Sequence, residues 1–319
     1  MLALVVAACA FVAGVLLYPP VVSWLTARGA GQHVASYTPA PHQMKSGTPT
    51  FGGVIFCAIA LVAWLVLDRS RTGFIVIFAL VGGALLGALD DLTNVRVLDR
   101  LGLAGREKLA AQGTIGILVG IGLAWGGFTR QFFPGLGAPD LHVGVIFLAA
   151  IAVVAASNAV NLTDGVDGLA ATCSMFVFSG TAAIAVFAHQ RSSVVIAAAL
   201  AGALLAFLVY NWFPARLFMG DTGSLALGSA LVALAAELHL LWWLPLLGIV
   251  FVAETLSVII NVTSIRRYGR RILRASPLHH HFEEIGLREQ RLVACFSAVA
   301  ALGTLLTVLY ARFGTGSAA

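Results

Sequence analysis

Apolar segments long enough to cross a bilayer recur along the whole chain. A transmembrane helix needs about 20 mostly apolar residues to span the hydrocarbon core. Ten segments meet this requirement, at residues 2–26, 51–67, 73–90, 108–126, 141–158, 168–188, 194–211, 222–238, 240–262 and 291–311. The chain is 60% hydrophobic and 10% charged, which is more apolar surface than a soluble protein of 319 residues can bury. The sequence therefore predicts an all-α polytopic membrane protein with one integral-membrane domain over residues 1–319.

Lys and Arg are divided unevenly between the two sets of loops that connect these segments. Fourteen lie in the loops after the odd-numbered segments or at the start of the last one, and five lie on the opposite side. Because basic residues concentrate in cytoplasmic loops, we predict extracytoplasmic termini and cytoplasmic loops at about 27–50, 91–107, 159–167, 212–221 and 263–290. This distribution also accounts for the net charge of +5 without a nucleic-acid partner. Within the last loop, the spacing of Arg266, Arg270 and Arg274 predicts a basic helix lying along the membrane lipid.

Five aspartates lie in polar motifs on the predicted cytoplasmic face: Asp90, Asp91, Asp164, Asp167 and Asp221. Ionisable groups in membrane segments are costly and usually functional, and carboxylates that repel one another need a cation. Mg²⁺ prefers one or two carboxylates together with substrate phosphates. We therefore predict a cytoplasmic metal–phosphate site, with Asp221 as a metal ligand and Asp90 and Asp91 as further candidates. Solvated flanking acids and helix capping are the alternatives for these residues.

Small and polar residues surround two of the acidic motifs. Gly220 and Gly223 flank Asp221, and a helix N-terminus with such small residues is a natural phosphate-binding site. Asn158 and Asn161 lie one turn before Asp164, which strengthens the functional interpretation of that motif over simple capping. Lys45 precedes a Gly-Thr-Pro sequence that includes Thr48, but a lone Lys near a helix start more often serves membrane orientation than phosphate contact.

Three consecutive histidines, His279 to His281, lie in the last cytoplasmic loop. Neighbouring helical side chains diverge by about 100°, so the three rings do not easily bind one ion. Hydrogen bonding to a phosphate is the functional alternative, and solvation in a loop is the structural one. Glu254, inside the ninth segment, needs a buried partner that the sequence does not identify.

Three motifs together resemble those of the phospho-N-acetylmuramoyl-pentapeptide transferases, a branch of the polyprenyl-phosphate N-acetylhexosamine-1-phosphate transferases. They are Asn-Leu-Thr-Asp-Gly-Val-Asp-Gly at 161–168, Phe-Met-Gly-Asp-Thr-Gly-Ser at 218–224 and Pro-Leu-His-His-His-Phe-Glu at 277–283. The resemblance implies Mg²⁺-dependent transfer of phospho-MurNAc-pentapeptide from UDP-MurNAc-pentapeptide to undecaprenyl phosphate, with release of UMP and formation of lipid I. It also implies a bacterial cytoplasmic membrane protein with ten spans, both termini outside, and a homodimer.

The same resemblance implies roles for single residues. Asp221 matches the family's Mg²⁺ ligand and Asp90 and Asp91 its catalytic pair, while the three histidines match its His cluster. The implied substrate-binding positions are Lys45, Thr48, Asn158, Asn161, Asp164, Asp167, Asn211, Phe218, Ser224 and Asn261, with Phe218 expected to stack on uracil. Two positions depart from the family pattern: Asn94 replaces a Lys, for which Arg96 is a candidate substitute, and Asn261 replaces a Gln.

Three other functions are alternatives to this one. A sibling transferase that uses UDP-GlcNAc is disfavoured by the consecutive histidines. An ion-coupled transporter is disfavoured because no internal repeat is visible, and a non-catalytic interaction protein leaves the aspartates unexplained. For the transferase we expect direct in-line attack by the lipid phosphate. A covalent intermediate on Asp90 or Asp91 is the second possibility.

Overall fold

The computed structural model of the chain describes residues 1–28, 47–94, 102–133 and 135–313, with the backbone alone for Asn94. Regular structure in these residues is helical, and isolated β-bridges join Arg130 to Asp140 and Phe133 to Gly137. In chain order the α-helices are α1 (Leu2–Ala27), α2 (Gly53–Leu67), α3 (Arg71–Asn94), α4 (Gly105–Trp125), α5 (Gly144–Thr163), α6 (Leu169–Phe187), α7 (Arg191–Asn211), α8 (Gly220–Glu237), α9 (Leu244–Leu247), α10 (Ile249–Tyr268), α11 (Leu278–Glu284) and α12 (Glu289–Phe313).

Eight of the described helices are long and apolar enough to span a membrane: α1, α3 to α7, α10 and α12. The prediction of an all-helical, multi-span protein is therefore confirmed. The other two predicted spans correspond to α2, which is apolar but has only 15 residues, and to α8, which carries Asp221 and Glu237 in its first and last turns. The count of ten spans and the location of the termini stay predictions.

The ninth segment, predicted as a span at 240–262, is interrupted near its start, and its long helix begins at Ile249. A 3₁₀ turn at Leu241–Trp243 and the short α9 precede Gly248, which is the N-cap of α10. Pro245 has no N–H to donate and is accommodated in the first turn of α9. The predicted basic helix through Arg274 is wrong, because α10 ends where Gly269 adopts a left-handed conformation with φ +66°.

Helix α8 lies at the centre of the bundle. Every residue from Thr222 to Glu237 is buried, and α8 packs chiefly against α3 and α5. Small residues allow this close packing, as they do at many membrane helix interfaces. A Cβ added to Gly87 of α3 would lie 2.0 Å from the backbone oxygen of Asp221, and one added to Gly228 would lie 2.4 Å from Ser157 of α5. The glycines thus bring the C-terminal ends of α3 and α5 beside the N-terminus of α8.

Candidate active site

Asp91, at the end of α3, caps the N-terminus of α8. Its Oδ1 accepts a hydrogen bond from the backbone N–H of Asp221 at 3.0 Å, while Oδ2 accepts from the backbone N–H and the hydroxyl of Thr222 at 3.0 and 2.7 Å. A carboxylate is favourable there because the helix dipole and the unpaired N–H groups attract negative charge. Asp91 thus pairs with two of the N–H groups at the helix start where we predict a phosphate-binding site, and this buried carboxylate anchors α3 to α8.

Asp221 lies in the first turn of α8, and its two carboxylate oxygens have different partners. Oδ2 pairs with the ammonium of Lys108 from α4. Oδ1 accepts a 2.6 Å hydrogen bond from the side-chain amide of Asn161 on α5, which also donates to the hydroxyl of Ser224 at 3.0 Å. The Lys108 ammonium lies 3.6 Å from the carboxylate of Asp90 as well. Four helices thus bring two acids, one cation and one amide together.

Lys108 is the site residue that the sequence analysis missed. It served there only as a marker of membrane orientation, and Arg96 was the candidate replacement for the lysine lost at Asn94. Arg96 and the Asn94 side chain lie outside the described residues. Its position in the sequence could have identified it. Lys108 lies in the first turn of α4, on the same predicted side of the membrane as Asp90 and Asp221.

The donor set around Asp221 fits a cation that also binds substrate. One ammonium lies between the two carboxylates, so two negative charges share a single positive charge within the described residues. No group of three or more His, Cys, Asp or Glu side chains in the described part of the chain is arranged to enclose a metal ion. Mg²⁺ suits this pattern because it commonly takes one or two carboxylates and completes its shell with water and phosphate oxygens.

Two predicted site residues tie the C-terminal end of α5 and the turn that follows it to neighbouring elements. Asn158 donates to Gln112 of α4 at 2.7 Å. Asp167 is buried, and its carboxylate accepts from the backbone N–H of Ala215 at 2.9 Å. Asp164 follows the last residue of α5 as its C-cap and is half-buried. Asp164 and Asp167 lie in the turn between two helices, because α5 ends at Thr163 and α6 begins at Leu169.

Two further candidates hold the loop between α7 and α8. Asn211 accepts from the backbone N–H of Gly168 at 3.0 Å and donates to the Leu217 carbonyl at 2.9 Å. Phe218 pairs through its backbone with Pro49 and Gly52, at 2.9 Å each, and its ring is half-buried. Thr48, also half-buried, lies at the start of this paired segment. Lys45 lies outside the described residues.

The three histidines of α11 have three different partners. Nδ1 of the buried His279 lies 3.2 Å from Oε1 of Glu254. His280 contacts Glu283 at 2.7 Å. His281 accepts from the backbone N–H of Arg274 at 3.2 Å. A Cβ added to Gly165 would lie 2.5 Å from Nε2 of His279, so α11 packs directly against the turn that contains Asp164 and Asp167.

The buried side chain of Asn261 bonds to backbone groups of this chain. Its side-chain oxygen accepts from the backbone N–H groups of Ile272 and Leu273 at 3.1 and 3.0 Å, and its amide donates to the Leu273 carbonyl at 3.1 Å. These bonds hold the segment that leads from α10 to the histidines. Asn261 was predicted to contact substrate, and the structure gives it in addition a structural role.

The chain is similar to one protein-family model and to several proteins that share a single name. The model of Glycosyl transferase family 4 matches residues 72–239, which include Asp90, Lys108 and Asp221. The phospho-N-acetylmuramoyl-pentapeptide-transferase of Moorella thermoacetica is 44% identical over 300 residues, which cover 93% of this chain and 94% of the relative. The protein of the same name from Anoxybacillus flavithermus is 41% identical over 309 residues, or 95% of each chain. A third, from Geobacillus sp., is 40% identical over 305 residues, covering 93% and 94%.

Proposed function

Because the chain belongs to the phospho-N-acetylmuramoyl-pentapeptide-transferase family, we propose that it transfers phospho-MurNAc-pentapeptide from UDP-MurNAc-pentapeptide to undecaprenyl phosphate. The products are UMP and lipid I. The observation that carries this proposal is the convergence of Asp221, Asp90 and Lys108 at the N-terminus of α8. With it we propose a homodimer in the bacterial inner membrane, with ten spans, both termini outside and the site facing the cytoplasm.

Asp221, with Asp90, would hold Mg²⁺, and the bound ion would neutralise charge on the diphosphate and on the departing UMP. Asn161 fixes the Asp221 carboxylate through its 2.6 Å hydrogen bond, so the oxygen that faces Lys108 keeps its orientation. Lys108 supplies a positive charge for a phosphate oxygen. These residues meet the main difficulty of the reaction, which is to bring two polyanions together.

The acceptor needs little help from a general base. The second pKa of a phosphate monoester is about 6, so lipid phosphate is mostly a dianion at neutral pH. Asp91 is poorly placed to act as a nucleophile because both of its oxygens accept hydrogen bonds from the start of α8. We therefore favour direct in-line attack over a phospho-aspartyl intermediate. Exchange of labelled UMP into the UDP-sugar in the absence of lipid acceptor would contradict the direct route.

The decisive test is UMP release by the purified, detergent-solubilised protein with polyprenyl phosphate and Mg²⁺. UDP-MurNAc-pentapeptide and UDP-GlcNAc are offered separately, and EDTA is added in a parallel reaction. We expect EDTA-sensitive turnover of the muramoyl substrate alone. Turnover of UDP-GlcNAc instead would assign the chain to the sibling reaction, and turnover that resists EDTA would contradict the metal site.

A further inference from the structure

Glu289 joins α12 to the turn that follows α5. Its Oε1 accepts a hydrogen bond from the backbone N–H of Asp167 at 3.1 Å, between residues that are 122 positions apart in the chain. Glu289 is the first residue of α12 and is half-buried. It lies outside the three polar motifs that resemble those of the family. A carboxylate at the start of one helix thus holds the backbone of a turn from a distant part of the sequence.

The turn between α5 and α6 is held by contacts from three other parts of the chain. The Asp167 carboxylate accepts from the backbone N–H of Ala215 at 2.9 Å, and the N–H of Gly168 donates to Asn211 at 3.0 Å. Glu289 provides the third contact. Site residues keep their geometry only when the groups behind them are fixed by such hydrogen bonds. The loss of one of these contacts should therefore shift the residues that the turn presents.

The other end of this turn lies beside the group that holds Asp221. The N–H of Asp164 donates to the carbonyl of Asn161 at 3.2 Å, and the side-chain amide of Asn161 donates to Asp221 at 2.6 Å. Asp164 is half-buried and Gly165 is exposed. The first half of the turn is therefore accessible within a few residues of the candidate metal ligand, while its second half is fixed from behind.

We propose that Glu289 is a positioning residue. By accepting from the backbone N–H of Asp167, it holds the turn at 164–168 in the conformation that binds the nucleotide-sugar substrate. The identity of that substrate rests on the proposed function. Glu289 acts through the turn and not on the reacting atoms, so its removal weakens binding of the substrate and of the transition state alike, which raises KM and leaves kcat nearly unchanged.

Two conservative substitutions separate this role from simple stabilisation of a helix start. A carboxylate in the first turn of α12 also interacts favourably with the helix dipole. Glu289→Asp keeps that charge but withdraws the oxygen by one methylene, whereas Glu289→Gln removes the charge and keeps an oxygen that reaches the N–H. We expect Glu289→Asp to raise the KM for UDP-MurNAc-pentapeptide about tenfold and Glu289→Gln less than about threefold, with kcat within about twofold in both. Equal KM values, or the reverse order, would overturn the proposal.

Glu289→Met removes the acceptor at similar side-chain length, and its KM should resemble that of Glu289→Asp. Gln290→Met is the matched control, because Gln290 is exposed at the next position of α12. Its KM should stay within about twofold of the wild-type value. A rise in the control as large as in Glu289→Met would contradict the assignment to this hydrogen bond. A fall in kcat at unchanged KM in Glu289→Met would contradict it as well.

Hydrogen exchange measured by mass spectrometry tests the contact in the detergent-solubilised protein without any substrate. Fragmentation resolves the backbone N–H of Asp167 from that of Gly168. We expect the Asp167 N–H to exchange about tenfold faster in Glu289→Asp than in the wild type or in Glu289→Gln, with a smaller change at Gly168, which Asn211 holds. An unchanged rate at Asp167 in Glu289→Asp would refute the positioning role. This outcome does not depend on which UDP-sugar is turned over, so it separates a failure of the positioning role from a failure of the proposed function.

Discussion

The two ends of α8 each carry an acid, and their surroundings differ completely. Asp221 at the start of the helix is partly exposed, pairs with Lys108 and receives an amide from Asn161. Glu237 at the other end is fully buried and accepts one hydrogen bond, from the Ser193 hydroxyl at 2.8 Å. An acid in a membrane helix is therefore not a functional site by itself. The convergence of several polar groups on an accessible carboxylate distinguishes the site from a sealed structural contact.

We expect the largest loss of turnover when the charge of Asp221 is removed at the accessible N-terminal end of α8. Asp221→Asn keeps the side-chain shape but removes the carboxylate that would hold Mg²⁺ and pair with Lys108. We expect turnover to fall about a thousandfold or more, which corresponds to about 4 kcal/mol of lost transition-state stabilisation. UMP release measures this, and an unchanged thermal unfolding midpoint shows that the fold persists. Near-normal turnover would refute the metal role of Asp221.

Lys108→Met tests whether the ammonium acts on substrate or only neutralises the acids. If it contacts a phosphate oxygen, turnover should fall roughly a hundredfold. Arg106→Met is the matched control, since Arg106 is exposed in the first turn of the same helix. A variant that keeps wild-type turnover at saturating Mg²⁺ would limit Lys108 to charge compensation.

Asp91→Asn should affect stability as well as activity, unlike Asp221→Asn. An amide can accept on one side only, so at least one N–H at the start of α8 loses its partner. The expected cost is about 1–3 kcal/mol, measured as a lower unfolding midpoint in detergent together with reduced UMP release. A folded protein of unchanged stability that has lost turnover would instead support a direct catalytic role for Asp91.

We expect the smallest change in turnover and stability from substitution of the buried Glu237 at the C-terminal end of α8. Glu237→Gln retains an oxygen that can accept from Ser193, so stability should change by less than about 1 kcal/mol and turnover by less than about twofold. Thermal unfolding and UMP release of the same preparation give both numbers. A large loss of turnover here would remove the contrast between the two ends of the helix.

The sequence predicted much of the fold because membrane spans depend on local composition. About 20 apolar residues in a row are enough to indicate a span, and each predicted segment corresponds to described helical structure. An apolar run does not reveal where a helix is interrupted, so the sequence did not place the interruption at Gly248. The predicted basic helix failed because one left-handed glycine, Gly269, outweighed the spacing of the arginines.

The sequence identified most residues of the candidate site but not the contacts between them. Asp221, Asp90 and Asn161 were recognised from their polar motifs, and the structure brings them together with Lys108. Neither the anchoring role of Asp91 nor the partner of Glu254 was accessible, because each contact joins residues that are far apart in the chain.

By itself, the amino-acid sequence determined which segments are apolar enough to cross a membrane and which polar motifs interrupt them. Only the tertiary structure decided which acid caps a helix, which shares a cation and which is buried against a histidine. The physical reason is that hydrophobicity is a sum over neighbouring residues, whereas these roles depend on distances of a few ångströms between helices. Glycines such as Gly87 and Gly165 set those distances, since any larger residue there would collide with the partner element.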